Sequence, residues 1–169
     1  MPELNLPDEL DVLVVLGSLS DEAVAAKMQP AFRDAGVRAQ FEVCSAHRDH
    51  ERLAQLIPAA EERGCRAFIG VAGMAAHLPG VIAALTVKPV IGVPCAGSLD
   101  GLDALLSVVQ MPPGIPVACT ALNGGLNAAL LAIQILATNN PALTDWLKAF
   151  RRQQQDKNRA DSKKLGDNL

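Results

Sequence analysis

The chain reads as an α/β protein, a three-layer α/β/α sandwich on a parallel five-stranded sheet. Three observations predict this: short apolar runs rich in Val and Ile recur, helical stretches separate them, and the two alternate throughout the 169 residues. Continuous apolar runs suit strands covered on both faces, and parallel neighbours need a crossover between them. Half of the residues are hydrophobic and 20% are charged, enough to build one core. The expected organisation is a single α/β domain over residues 1–152 and a polar C-terminal tail over 153–169.

The first strand is Asp11 to Leu16, Asp-Val-Leu-Val-Val-Leu, stopped by Gly17. Comparable runs predict strands at Arg38 to Cys44, Arg66 to Ala72, Pro89 to Val93 and Ile115 to Ala121. Helices are expected at Asp21 to Ala35, at Asp49 to Arg63 before Gly64, at Leu78 to Leu85, at Leu102 to Gln110 and at Asn127 to Thr138. A last helix, capped by Asn140 and started by Pro141, runs through Trp146 into Arg151. Pro30 and Pro58 fall inside two of these helices, where each removes a backbone donor and is expected to kink or split the element. The tail from Gln153 to Leu169 is expected to fray or to lie across a neighbouring subunit.

Composition narrows the function. A net charge of -3, no Tyr, one Trp and four Phe give neither a basic face nor aromatic platforms, so no nucleic-acid partner is expected. No apolar run approaches the roughly 18 residues of a membrane span. Glu3, Asp8, Glu9 and Asp11 stand where a signal peptide would be basic, and a cytoplasmic location is expected. Cys44, Cys65, Cys95 and Cys119 form no CxxC pair and read as small buried hydrophobes in a reducing compartment. One helical stripe would hold Leu126, Ala129, Leu130, Ile133 and Leu136, yet Leu131 and Ile135 fall opposite. A helix apolar on nearly all sides points to burial against another subunit.

Ligands of open parallel sheets bind beyond the carboxyl ends of the strands. There the sequence puts Gly17-Ser18-Leu19-Ser20-Asp21, then Ser45-Ala46-His47-Arg48, then Ala72-Gly73-Met74-Ala75-Ala76-His77-Leu78-Pro79-Gly80. Gly17 to Asp21 opens a helix, where free backbone donors and hydroxyls suit a phosphate; a plain N-cap at Ser18 or Ser20 is the structural alternative. Neither GxGxxG nor GxxxxGK[ST] occurs, which removes most support for nicotinamide cofactors and ATP hydrolysis. A receiver domain would want several acids at the first strand's end, and only Asp21 is there. His47 can give and take a proton near neutrality, and Arg48 can hold a phosphate or carboxylate with its planar fork. The structural alternative is a histidine at a helix start beside a surface ion pair. His47, His50 and His77 lack a carboxylate or thiol to complete a metal site, so no metal is expected. A cysteine-dependent hydrolase using Cys44 or Cys95 near His47, and a non-catalytic nucleotide-binding module, remain rival classes.

At these residues the chain resembles the phosphoribosylaminoimidazole carboxylase catalytic subunits, purine-biosynthesis enzymes better called N5-carboxyaminoimidazole ribonucleotide mutases. The likeness runs from about Val12 to Phe150. It is carried by Gly17-Ser18-x-Ser20-Asp21, Ser45-Ala46-His47-Arg48, Ala75 to Gly80, Pro89 to Pro94, and Gly101-Leu102-Asp103 through Gln110-Met111-Pro112. The resemblance implies a flavodoxin-like fold, an octamer with sites shared between subunits, a small ribonucleotide substrate, and no metal or organic cofactor. It implies that Ser18, Asp21 and Arg48 bind phosphate and ribose, that Ser20 and Ser45 add contacts, and that His47 is the acid/base. His77 is the competing candidate for that role. The loop Ala72, Gly73, Met74, Ala75, His77 and Leu78 would close over the base and the mobile carboxylate. The reaction implied moves a carboxylate from the exocyclic nitrogen of an aminoimidazole ribonucleotide to its ring carbon. Direct carboxylation by carbon dioxide is the alternative, but members of that branch usually carry Lys in place of Arg48 and lack Ala-His-Leu-Pro. Three departures from the bacterial pattern stand out: Glu22 for an aromatic, Met74 for a loop glycine, and a 123–127 segment about two residues short.

Overall fold

The computed structural model describes residues 4–167; Glu3 and the last two residues of the tail lie outside the described residues. Five parallel strands form one sheet in the order β2-β1-β3-β4-β5: β1 (Val12–Leu16), β2 (Ala39–Val43), β3 (Ala67–Ala72), β4 (Val90–Pro94) and β5 (Ala118–Cys119). The helices are α1 (Glu22–Ala26), α2 (Gln29–Ala35), α3 (His50–Glu62), α4 (Leu78–Leu85), α5 (Leu102–Val109), α6 (Gly125–Ala137) and α7 (Pro141–Asp167). The three-layer sandwich follows from strand alternation. Val12, Val14 and Leu16 face a core shared with α1, α2, α6 and α7. Leu13 and Val15 face a second core built with α3, α4 and α5.

β1, β3 and β4 are buried at every residue, as continuous apolar runs require. β2 is half-exposed because it is an edge strand, and its polar Gln40 and Glu42 fit that position. β5, expected over seven residues, is only two long: it pairs with β4 through Ile91↔Ala118 and Gly92↔Cys119. Pro116, which has no N–H to give a ladder, precedes it.

The helix expected at Asp21 to Ala35 is two helices with a 3-10 turn before them, and Pro30 at the second position of α2 marks the break. Pro58 behaves differently. It sits on an exposed face of an uninterrupted α3. Of the two expectations for the tail, fraying is not what is seen: α7 continues as helix to Asp167. Its Gln, Lys, Arg and Ala residues are good helix formers, and those from Arg151 to Gly166 are exposed. The stripe proposed for α6 is corrected as well. Its buried face is Gly125, Ala128, Ala129, Ala132, Ile133 and Leu136, whereas Leu126 is 41% exposed and Leu130 only half-buried. Small residues take the inner face because Gly125 abuts the backbone carbonyl of Val24 in α1, where no side chain would fit.

One close approach positions the site. Gly70 of β3 and Gly92 of β4 are register partners, and together they leave a bare floor beneath α4. A Cβ on Gly70 would lie 3.0 Å from the Pro79 ring, and one on Gly92 3.2 Å from it. The first turn of α4 is thereby pressed onto the sheet, with His77 immediately before it.

Candidate active site

A cleft of about 590 Å³ opens beyond the carboxyl ends of β1 to β4. Its centre lies where β1 and β3 are neighbours while their connections run to opposite sides, the switch point of this strand order. All twelve residues nominated from the sequence line it: Ser18, Ser20 and Asp21 after β1, Ser45, His47 and Arg48 after β2, and Ala72, Gly73, Met74, Ala75, His77 and Leu78 from β3 into α4. Three lining residues that the sequence reading did not assign to this site, Cys95, Ala96 and Gly97, follow β4. The strand-end rule applied to the fourth strand would have found them. The sequence offers Cys95 as a small buried hydrophobe or, in the rival hydrolase class, as a nucleophile, and neither reading makes it a lining residue.

After β1 the chain turns at Ser18, whose Oγ accepts a hydrogen bond from the Ser20 backbone N–H at 3.3 Å. Ser18 caps a 3-10 turn and also lines the cleft. Burial raises the Asp21 carboxyl above the usual carboxylate range, while the Cys95 thiol, the Ser18 backbone and the Ser20 hydroxyl pull it partly back. The Ser20 hydroxyl lies 3.5 Å from Asp21 Oδ1. Burial, with the Asp21 carboxylate beside it, pushes the Cys95 thiol up to about 12. Cys44 is also raised by burial, and its Sγ donates to the Asp49 carbonyl at 3.5 Å. A cysteine-dependent hydrolase needs a thiolate, and both candidates are held as thiols.

After β2, Arg48 donates to the Gly17 carbonyl at 3.0 Å, which ties the second strand's loop to the first. No carboxylate pairs with this guanidinium among the described residues, so the surface ion pair considered from the sequence is absent there. His47 and His77 meet across the cleft. A hydrogen bond of 2.8 Å joins His47 Nε2 and His77 Nδ1, and the rings cross edge-on with centroids 4.9 Å apart. Among the described residues no three His, Cys, Asp or Glu side chains gather as a metal site.

The β3 loop reaches His77 through Met74, which holds a left-handed φ of 55°. That conformation favours glycine and explains structurally why a glycine suits this position. The β4 loop is held by Asn123, also left-handed at φ 55°, whose Oδ1 accepts from the Ala96 N–H at 3.0 Å. Asparagine tolerates that conformation better than most residues.

A family model described as AIR carboxylase matches residues 11–157. The chain belongs to this family. A Methanocaldococcus jannaschii relative named N5-carboxyaminoimidazole ribonucleotide mutase is 44% identical over 154 residues, covering 91% of this chain and 96% of that one. A Methanothermobacter thermautotrophicus relative, 41% identical over 141 residues, is longer: the match covers 83% of this chain but 42% of that protein. A crystal structure of Treponema denticola PurE superposes with a TM-score of 0.82 at 27% identity, over 91% of this chain and 97% of that one. The chain shares its fold with that structure. Among the described residues no helix is long and apolar enough to cross a membrane.

Proposed function

We propose that this member of the AIR carboxylase family is an N5-carboxyaminoimidazole ribonucleotide mutase of purine biosynthesis. It moves the carboxylate of its substrate from the exocyclic nitrogen to the ring carbon, giving 4-carboxy-5-aminoimidazole ribonucleotide. The observation that carries this reading is the convergence on one cleft of His47, an Arg48 that no carboxylate pairs among the described residues, half-buried Asp21 and the small-residue β3 loop. Mutase relatives such as that of M. jannaschii support the reaction assigned.

In this reading Arg48 and the hydroxyls of Ser18, Ser20 and Ser45 hold the phosphate, and Asp21 accepts from the ribose hydroxyls. His47 gives its proton to the exocyclic nitrogen, the nitrogen–carboxyl bond breaks, and carbon dioxide is released within the cleft. The electron-rich ring carbon attacks it, and His47 takes the proton from that carbon. The histidine ends as it began. Ala72 to Leu78 shield the carbon dioxide from water, for which a small apolar lining is suited.

We also infer one catalytic domain over residues 1–152 with 153–169 as an appended arm, a cytoplasmic location, and a homo-octamer with shared sites. Leu102, Leu106, Val109 and Leu126, each at least 41% exposed, support assembly, because a lone chain would leave them in water. Light scattering tests this, and a monomeric mass would contradict it. The deciding assay offers the purified protein the N-carboxylated ribonucleotide or, separately, the free amine with bicarbonate. Turnover of the first without ATP is expected; product from the second alone would make the protein a carboxylase.

A further inference from the structure

We propose that His77 is a positioning residue for His47, fixing that ring through the hydrogen bond between His47 Nε2 and His77 Nδ1; the proposal rests on His47 being the acid/base. At 2.8 Å the two nitrogens cannot both carry hydrogen, nor can both present lone pairs, so one hydrogen lies between them. This couples the two tautomers. When His77 Nδ1 accepts, His47 Nε2 keeps its hydrogen, and the opposite atom, His47 Nδ1, is left to the substrate.

That arrangement suits a histidine that must be acid and then base. Charged His47 carries hydrogen on both nitrogens, and neutral His47 carries it on Nε2 alone. In both forms Nε2–H can point at His77 Nδ1, so the ring need not rotate between giving its proton and taking it back. A free imidazole could instead lose the Nε2 hydrogen or turn away. His77 can serve as the fixed partner because its backbone is anchored. It precedes α4, its carbonyl accepts from the Val81 N–H at 2.9 Å, and the adjoining turn is pressed on Gly70 and Gly92. Asp21, Arg48 and Cys95 are the other titratable groups lining the cleft, and none of them hydrogen-bonds either ring among the described residues.

Three histidines in the chain make the test clean. In the full-length, nitrogen-15-labelled protein without substrate, at alkaline pH, ring nitrogen shifts report each tautomer, and His50→Gln identifies the third residue. Wild-type His47 is expected as a single Nε2–H tautomer, relaxing to a mixture in His77→Ala. Kinetically, His77→Ala should lower kcat by about a hundredfold with KM nearly unchanged. His77→Asn, whose amide lies where Nδ1 was, should recover most of that loss. His77→Gln, whose amide lies where Nε2 was, should not. His47 signals unaltered by His77→Ala, a loss confined to KM, or Asn no better than Gln would overturn the positioning role. A wild-type enzyme that turns over no N-carboxylated ribonucleotide would instead overturn the function on which this proposal rests.

Discussion

The two ends of the sheet carry the same residue types in opposite states. At the amino end Asp11, almost fully buried, accepts from Arg38 Nε at 2.9 Å and Nη2 at 3.0 Å and from Arg66 Nη2 at 3.0 Å, and Glu9 pairs with the remaining Arg38 nitrogen. Burial alone would raise the Asp11 carboxyl; the Arg38 side chain and backbone and the Arg66 side chain bring it down to about 2. At the carboxyl end Asp21 and Arg48 face one cleft without pairing, and burial holds the Asp21 carboxyl above its ordinary range. Saturated charges stabilise a fold and do nothing further. Charges left open are available to a ligand, at some expense in stability.

The largest effect expected from the open end is catalytic. His47→Asn should reduce turnover by about a thousandfold or more while a non-reactive nucleotide analogue still binds, since Asn keeps size but does not titrate near neutrality. Substantial turnover in that variant would remove the acid/base assignment, and if His77→Asn were the inactive one, the roles would exchange. Next is Arg48→Ala, expected to weaken ribonucleotide binding by about 2 to 4 kcal/mol in calorimetry, with Arg48→Lys restoring only part because it keeps charge without the planar fork. Unchanged affinity in the Ala variant would misplace the site.

A matched pair of substitutions separates the two ends of the sheet. Asp11→Asn should cost about 2 kcal/mol of folding stability at neutral pH, because the carboxyl is depressed from 3.8 to about 2 in the folded chain. A depressed carboxyl stabilises above its unfolded pKa, so this contribution should fade as pH falls from about 4 toward 2. Asp21→Asn should have the other sign, leaving stability unchanged or higher at neutral pH while weakening nucleotide binding, because its carboxyl is raised. Denaturant titrations at several pH values read both; equal destabilisation by the two would erase the distinction. Smallest is Met74→Gly, expected to add up to about 1 kcal/mol by relieving a left-handed Met, offset in part by the greater freedom of an unfolded glycine.

Most of the carboxyl end was legible because its signals are local. Apolar runs located each strand to within a few residues, and the ends of the first three supplied twelve of the residues that line the cleft. What stayed hidden depends on tertiary contact. The His47–His77 bond joins residues thirty apart in sequence. The Arg38 and Arg66 clamp on Asp11 arises only once β1, β2 and β3 lie side by side. The inner face of α6 is not marked by its largest apolar residues, because the close approach of α1 at Gly125 selects small ones there. The tail lacks any apolar period, so a helix exposed over its outer length left only propensity to announce it.

We propose that the open end carries a carboxylate from nitrogen to carbon within this one cleft. This is tested most directly by giving the enzyme substrate labelled with carbon-13 at the N-carboxylate, in unlabelled bicarbonate, and following the label by NMR. The label is expected to reappear on the ring carbon's carboxylate with little dilution, because the carbon dioxide is held until it is captured. Product carrying unlabelled carboxylate from the buffer, or no transfer at all, would contradict it.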